Sequence, residues 1–393
     1  MDTNNKSNRI KSVIRFIVIA LAIFVIGGLG AVTMENYVFP RLSATQLFSK
    51  YKFLQKAGEK TTIISKTEQV VVKEDDSVNQ IASQAATAVV NIISVSEKKQ
   101  KILESKEAFL SEKGATGILV TSDGLIVTYR AAIIEKDARY TVFTYDGVRY
   151  SATLVGIDEF TNLAYLKIDA SNLPAVSFAN SSDFQPGKKL IAVGNSPGEY
   201  QNRFAAGLLS NINKTFNIAG KTVSSSEKLE GVFETDFENQ TAYLGGPIIN
   251  YNGELVGVIG SVLIDNREHF FQIPANAVRR SLELAIKNEL ANRPVLGIYY
   301  VPITKEYAIV NNLARDRGAL IFSSSGKEGL AIITGSPAEK AGLQINDIII
   351  AVTGQEVNLD NPLSNLLSQY KKGEEVELLV LRENREIKIK VDL

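Results

Sequence analysis

The pattern of apolar and polar positions divides the chain into an N-terminal apolar run, a long series of short strands and a mixed C-terminal segment. Short apolar or alternating runs separated by glycine-containing turns are typical of closed β-barrels rather than of βαβ units. Such runs occur throughout residues 77–290, and a helix predicted over residues 275–289 ends this series. Residues 97–113 are rich in charged side chains and indicate a helical or mobile insertion.

Residues 291–393 form a second predicted domain, in which strands alternate with short helices. Ser336 and Pro337 have the residue types preferred at the cap and at the first position of a helix. A further helix is predicted over residues 362–370, and an apolar alternation after it predicts a final hairpin. The chain is therefore expected to be mainly β, with an α+β C-terminal domain.

The N-terminal apolar run covers residues 16–34 without a charged side chain. At about 1.5 Å per residue, a helix of this length can cross the ~30 Å hydrocarbon core of a bilayer. Residues 1–15 are basic, which predicts a cytoplasmic N-terminus and an extracytoplasmic location for the rest of the chain. A cleaved signal peptide is the alternative, although its apolar region is usually shorter. Residues 35–76 are predicted to link this single-pass transmembrane helix to the strand-rich domain.

Composition narrows the chemistry that the chain can perform. Its 43 basic and 43 acidic residues cancel, so net charge does not favour a nucleic-acid partner. The absence of cysteine removes disulfides, thiolate nucleophiles and sulfur-ligated zinc, and no motif predicts a metal or a cofactor. The single histidine, His269, is the only side chain of the type that usually serves as general base at neutral pH.

Several motifs, taken in order, resemble the HtrA/Deg family of trypsin-like serine proteases. They are the hairpin of residues 115–128, the strand of residues 158–168, the glycine loop of residues 187–198, the turn Gly245, Gly246 and Pro247, and the segment of residues 335–342. The resemblance implies a bacterial-type membrane anchor, a chymotrypsin-like double β-barrel and a C-terminal PDZ domain. It also implies assembly as a trimer, which is frequent in the family.

The positions that the resemblance assigns to the catalytic triad carry other residues in this chain. Ala131 stands where the family has histidine, Asn162 where it has aspartate, and Leu244 where it has serine. Because a triad acts as a unit, these three departures predict a pseudoprotease in which residues 245–247 are a vestigial oxyanion turn.

Two alternatives would keep the chain an active serine endopeptidase with a displaced catalytic group. His269 is the only candidate for a relocated base, but its surroundings predict a loop or a strand end. Residues 223–228 offer serines beside a lysine for a Ser–Lys dyad, which requires a desolvated lysine. Loops of this composition are usually solvated, so the sequence favours neither alternative.

The resemblance also implies a peptide groove in the C-terminal domain. The backbone N–H groups of Val295, Leu296, Gly297 and Ile298 are expected to hold a terminal carboxylate while the peptide pairs as an extra strand. Leucines of the predicted helix are expected to line the pocket for the last side chain: Leu363, Leu366 and Leu367. The implied partners are protein C-termini or unfolded proteins, bound in an adaptor, chaperone-like or regulatory role.

Overall fold

The computed structural model describes residues 78–101, 108–195, 202–221, 223–323 and 331–393, with residues 19, 27, 30 and 34 as isolated positions. The predicted basic tail, transmembrane helix and linker lie outside the described residues apart from those four positions. Within the described part of the chain, no helix is both long enough and apolar enough to cross a membrane. Asn79–Leu393 forms one compact unit, which holds all the elements described below.

Six antiparallel strands close the first barrel in the order β1-β2-β3-β6-β5-β4. They are β1 (Val89–Lys101), β2 (Ala108–Leu119), β3 (Leu125–Tyr129), β4 (Ala138–Phe143), β5 (Arg149–Asp158) and β6 (Leu163–Ile168). Buried aliphatic side chains fill its interior, among them Val90, Ile92, Ile126, Val142 and Leu166. The alternating runs of the sequence thus form a closed barrel, as the pattern predicts.

The second barrel is also six-stranded, and its strands follow the order β10-β13-β12-β11-β7-β8. They are β7 (Lys189–Asn195), β8 (Asn202–Asn217), β10 (Glu230–Thr235), β11 (Pro247–Ile249), β12 (Leu255–Ile264) and β13 (Arg267–Pro274), while β9 (Ser224–Ser225) pairs elsewhere. Helix α1 (Ala275–Ile286) closes this domain. It buries Ala277, Val278 and Leu282 in an apolar core that contains residues of both barrels.

The C-terminal domain is built on a sheet of order β19-β18-β16-β15-β14-β9, with β17 beside β16. Its elements are β14 (Tyr299–Pro302), α2 (Lys305–Val310), β15 (Ala319–Ile321), α3 (Pro337–Lys340), β16 (Ile348–Val352), β17 (Gln355–Glu356), α4 (Leu363–Leu367), β18 (Glu375–Arg382) and β19 (Arg385–Asp392). Ser336 caps α3, because its side chain accepts from the Glu339 N–H over 3.3 Å, and Pro337 begins the helix. The predicted capped helix is confirmed.

Of the two alternatives expected for residues 97–113, a helical or a mobile insertion, the helical one is wrong for the described part. Strands β1 and β2 continue as a hairpin, with residues 99–101 paired to residues 108–110 beyond an irregularity in the register. An antiparallel ladder is held by backbone hydrogen bonds, so a charged segment can extend a hairpin without apolar side chains to bury.

Candidate functional site

The structure places the three predicted triad positions in turns at strand ends. Ala131 is exposed in a 3₁₀ turn that directly follows β3. Asn162 precedes β6 and has a left-handed backbone with φ of 56°. Leu244 follows a second 3₁₀ turn, Gln240–Tyr243, and leads towards β11. These three positions, with the turn at residues 245–247, are called the triad region below.

The three turns meet at the C-terminal end of β3. The Arg130 N–H donates to the Asn162 carbonyl over 2.8 Å, which joins the first turn to the second. Gly245 packs so closely against β3 that a Cβ atom there would lie 2.2 Å from Thr128 Oγ1 and 3.2 Å from the Tyr129 nitrogen. The fold therefore brings the predicted triad positions to one place.

Leu244 occupies the predicted nucleophile position with an apolar side chain that packs against the core. The side chain is partly buried and packs against the buried residues of both barrels. The Leu244 carbonyl accepts from the Thr116 N–H over 3.4 Å, which ties the turn to β2. An isobutyl group has neither a lone pair nor a transferable proton, so it contributes packing and cannot attack a carbonyl carbon.

The backbone donors of the predicted oxyanion turn are engaged within the protein. An oxyanion hole requires N–H groups that point at the place where the charge develops. Four backbone N–H groups in this turn and just before it donate instead to carbonyls of the protein. They are Ala242 to Asn239 at 3.1 Å, Leu244 to Thr241 at 3.4 Å, Gly245 to Ile259 at 2.9 Å and Gly246 to Tyr243 at 2.8 Å. In this conformation the turn joins strands and presents none of these four donors to a substrate.

Two tyrosines fill the space around these turns. Tyr129 is only 2% exposed, and its ring meets that of Phe271 edge to face with 6.0 Å between centroids. Burial raises the pKa of Tyr129 to about 12, although a hydrogen bond with Asn162 acts in the opposite direction. Tyr243 is likewise buried. Both rings therefore act as packing groups in this region.

The structure gives no support to the proposed Ser–Lys dyad. Among the described residues, the Lys228 ammonium bonds to Asn162 Oδ1 at 2.9 Å and to Glu159, whereas Ser225 and Ser226 donate to the Glu227 carboxylate at 3.0 and 2.6 Å. Burial lowers the pKa of Lys228, and the nearby Glu159 carboxylate opposes that shift. The segment is not solvated as its composition suggests, because the three serines of residues 224–226 are buried.

His269 lies on β13 opposite Val262 of β12, in an exposed part of the hairpin. This position, near the start of β13, agrees with the prediction that the histidine lies at a strand end.

Most of the predicted peptide-binding residues belong to one core cluster of the C-terminal domain. Leu296 and Ile298 are buried, Val295 is 43% exposed, and Gly297 has a φ of 83° that favours glycine. The helix leucines are all buried within the same core cluster: Leu363, Leu366 and Leu367. They act mainly as core residues. Leu367 also faces a cavity of about 100 Å³ that Val295 helps to line.

Sequence reasoning missed the residue that faces the predicted carboxylate loop. Oε1 of Glu227 accepts from the N–H groups of Leu296 and Gly297, at 3.1 and 2.8 Å. The only local signal was an extended polar run that ends in a carboxylate, at residues 223–227. Its partner loop lies about 70 residues later in the chain, beyond the reach of pattern arguments.

Comparison with known proteins agrees with this architecture. Residues 115–258 match the model of the trypsin-like peptidase domain, and residues 294–393 match that of the PDZ domain. The "Serine protease Do-like HtrA" of Bacillus subtilis is 31% identical over 342 residues, which cover 81% of this chain and 74% of that protein. The "Probable periplasmic serine endoprotease DegP-like" of Chlamydia trachomatis is 33% identical over 279 residues, or 70% of this chain. The match spans only about half, 53%, of that longer relative.

Solved structures show the same fold at lower identity. The HtrA-type protease AlgW with tripeptide superposes with a TM-score of 0.62 at 22% identity, covering 79% of this chain and 95% of that one. The same protease with decapeptide gives a TM-score of 0.60, also at 22% identity. Fold, domain order and sequence identity together show that this chain belongs to the HtrA family of trypsin-like serine proteases with a C-terminal PDZ domain.

Proposed function

We propose that this chain is an HtrA-type pseudoprotease, anchored in a bacterial-type cell membrane, that binds peptides or unfolded proteins outside the cytoplasm. It acts there as an adaptor, a chaperone-like holder or a regulatory partner rather than as an endopeptidase. The observation that carries this proposal is Leu244, a core leucine at the nucleophile position.

The other two triad positions support the same conclusion. Ala131 offers no base, and Asn162 uses its side-chain oxygen to accept from Lys228. Removing any one member of a triad leaves only about 10³–10⁴-fold catalysis over water, from substrate binding and the oxyanion hole. Here the donors of the turn are also engaged by carbonyls, so the oxyanion-hole part of that remainder is absent in this conformation.

Peptide binding is supported by the carboxylate loop of the PDZ domain. Its N–H groups already hold a carboxylate, that of Glu227, so the loop has the geometry needed for such a group. Two solved structures of the similar protease AlgW contain a decapeptide and a tripeptide, as their names state.

The membrane location rests on the sequence and on the relatives. Residues 16–34 are long and apolar enough for a single span, with basic residues before them. The chlamydial relative is named as periplasmic. Carbonate extraction tests this directly: the full-length protein should stay with the membrane pellet, and a variant lacking residues 1–34 should move to the supernatant. An intact protein that carbonate releases would contradict the anchor.

Hydrolysis of casein by the purified full-length protein tests the pseudoprotease proposal. We expect no turnover above a buffer blank under conditions in which an active protease of the same fold digests the substrate. Hydrolysis that disappears when one named residue is replaced, for example by Ser226→Ala or His269→Ala, would overturn the proposal. Hydrolysis that no such replacement removes would indicate a contaminating protease, which repurification must then eliminate.

A further inference from the structure

A segment of the second barrel forms an extra strand on the PDZ sheet. Residues 223–230, called the internal segment below, follow β8, contain β9 and end at Glu230, the first residue of β10. Strand β9 runs antiparallel to β14, with Ser225 opposite Tyr299 and Ser224 opposite Tyr300. The Ser226 N–H continues the ladder by donating to the Ile298 carbonyl over 3.1 Å. Addition of a strand to a sheet edge is the backbone mode by which PDZ domains take extended peptides.

The internal segment also supplies a carboxylate at the end of its strand. Oε1 of Glu227 lies 3.1 and 2.8 Å from the nitrogens of Leu296 and Gly297, and the Ile298 N–H donates to Ser226 Oγ over 3.0 Å. Three successive N–H groups of the carboxylate loop are thereby satisfied by side chains of the segment. Hydrogen bonds to an ionised acceptor are about twice as strong as neutral ones, so Glu227 is the principal polar anchor.

The helix on the far side of the groove holds the same segment. Asn365 of α4 donates from Nδ2 to the Glu230 carbonyl over 2.8 Å, and its Oδ1 accepts from the Glu230 N–H over 3.3 Å. From β14, the Tyr300 hydroxyl donates to Glu230 Oε2 over 2.6 Å. The segment is therefore bonded to both walls of the groove, the strand and the helix.

We propose that the internal segment is a built-in ligand of the PDZ groove, and that an incoming peptide with a free C-terminal carboxylate binds by displacing it. The inference deepens, and rests on, the proposed peptide binding. Glu227 takes the place of the peptide's terminal carboxylate, and β9 takes the place of the peptide strand. The groove contacts of residues 224–227 are polar and come from a loop, so these residues can leave the groove while Leu229 stays in the barrel core and Glu230 in β10.

The cavity beside the loop indicates which peptides compete best. With the segment in place it measures about 100 Å³, and Ser226 and Glu227 of the segment form part of its wall. The rest of its surface is mainly apolar and includes Phe160, Pro294, Val295 and Leu367. An apolar cavity of about 150 Å³ is large enough for benzene, so this smaller one suits a short aliphatic side chain. A peptide ending in valine or alanine is expected to displace the segment more readily than one ending in an aromatic residue.

The internal segment is also connected to the triad region. Lys228, next to Glu227, donates to Asn162 Oδ1 over 2.9 Å and pairs with Glu159 at 3.4 Å. Lys228 lies between the groove-binding Glu227 and the core residue Leu229, so displacement of Glu227 shifts the backbone that carries this lysine. Occupancy of the PDZ groove is thus linked by one short loop to the first barrel.

A disulfide tests the internal ligand, because the chain has no cysteine of its own. Directly opposed residues of an antiparallel pair lie about 4.5–5.5 Å apart at Cα, within the range of a disulfide. Ser225→Cys with Tyr299→Cys should therefore oxidise readily and lock the segment in the groove. A matched control joins another opposed pair far from the groove, Glu375→Cys with Asp392→Cys on β18 and β19.

Both disulfide variants and Glu227→Gln are then titrated as full-length proteins with a fluorescein-labelled decapeptide pool ending in valine with a free carboxylate. Compared with wild type, Glu227→Gln should lower Kd by roughly tenfold, which corresponds to about 1.4 kcal/mol. The matched exposed substitution Glu238→Gln should leave Kd unchanged. The locked variant should bind at least tenfold more weakly than after reduction with dithiothreitol, and the control disulfide should show no such change.

The outcomes separate this inference from the proposed function. If the peptide binds but the oxidised and reduced forms of the locked variant have equal Kd, the internal-ligand proposal is wrong and the proposed peptide binding is retained. The same follows if the Ser225–Tyr299 disulfide fails to form while the control disulfide forms. If the peptide binds neither to Glu227→Gln nor to the Ser225→Cys, Tyr299→Cys variant after its disulfide is reduced, the proposed peptide binding is wrong. The proposed displacement of the segment by peptide is then wrong as well.

Discussion

The triad region and the PDZ groove are both filled by the chain's own residues, but they are filled by different chemistry. In the triad region the occupants are Leu244, Tyr129 and Tyr243, whose apolar surfaces belong to the barrel cores. In the groove the occupants are serines and a glutamate on a loop, held by hydrogen bonds. Residues of a hydrophobic core cannot leave a site without destabilising the fold. A site filled by a polar loop remains exchangeable with solvent or with a competing peptide.

The first prediction addresses the filled triad region and has the largest expected effect. Tyr129→Ala should lower the free energy of unfolding by about 3–5 kcal/mol, because truncating a buried aromatic side chain leaves a cavity. Urea denaturation measures the loss. The control is Tyr145→Ala, since Tyr145 is 57% exposed and its removal should cost less than about 0.5 kcal/mol. A loss below about 1 kcal/mol at Tyr129 would mean that the ring is not a structural filler.

The second prediction concerns Glu230, the last residue of the internal segment, which is buried beside Tyr300 and Asn365 of the C-terminal domain. Burial raises its pKa from 4.5 to about 7, although hydrogen bonds from Tyr300, Ser224 and Asn217 oppose the shift. The folded state therefore binds a proton that the unfolded state has released between pH 4.5 and 7. From this group, stability is highest below pH 4.5 and falls as pH rises towards 7, by about 3 kcal/mol in total.

Glu230→Gln isolates that contribution from those of other groups. The variant keeps the shape of the side chain without its titration, so its stability relative to wild type should increase by about 3 kcal/mol between pH 4 and pH 8. Denaturant titrations at a series of pH values measure the difference. Glu238→Gln, at an exposed position, should show a flat difference. A flat profile for Glu230→Gln as well would contradict the burial of an ionisable group at this place.

The third prediction is that a serine at the predicted nucleophile position lowers stability and produces no hydrolysis. Leu244→Ser should lower the free energy of unfolding by about 2 kcal/mol, at the low end for a leucine because the side chain is only partly buried. Casein hydrolysis should stay at the level of the blank, since Ala131 and Asn162 provide no base. Leu263→Ser, at a position 64% exposed, is the stability control. Measurable hydrolysis by the single variant would show that a base is available after all.

The fourth prediction has the smallest expected effect on global stability and concerns the groove. Glu227→Gln should lower the free energy of unfolding by only about 1 kcal/mol, because a neutral amide oxygen still accepts the loop donors, though more weakly. Hydrogen exchange at the Leu296 and Gly297 amides should nevertheless accelerate severalfold. Unchanged exchange at these two amides would indicate that the carboxylate does not control opening of the groove.

The architecture could be predicted from sequence because its signals are local or ordered along the chain. Strand alternation and turn residues identified the two barrels, and Ser336 with Pro337 identified the start of α3. The motif order also located Ala131, Asn162 and Leu244, which the fold brings to the end of β3.

The parts that could not be predicted depend on contacts between distant segments. Nothing near Glu227 indicates that its carboxylate meets Leu296 and Gly297 in another domain. The helix leucines carry an apolar pattern that fits a pocket and a core equally well, and only packing assigned Leu363 and Leu366 to the core. The charged run at residues 97–113 did not reveal the hairpin there, because the charge of side chains says little about backbone pairing.

Labelling by a fluorophosphonate probe tests the central claim most directly, because the probe reports an activated serine whatever its position in the chain. The full-length protein is incubated with the probe beside the Bacillus subtilis relative, which is named a serine protease. No covalent adduct on this chain, with a clear adduct on the relative, is the predicted result. An adduct on this chain that is lost when a single serine is replaced by alanine would contradict the account.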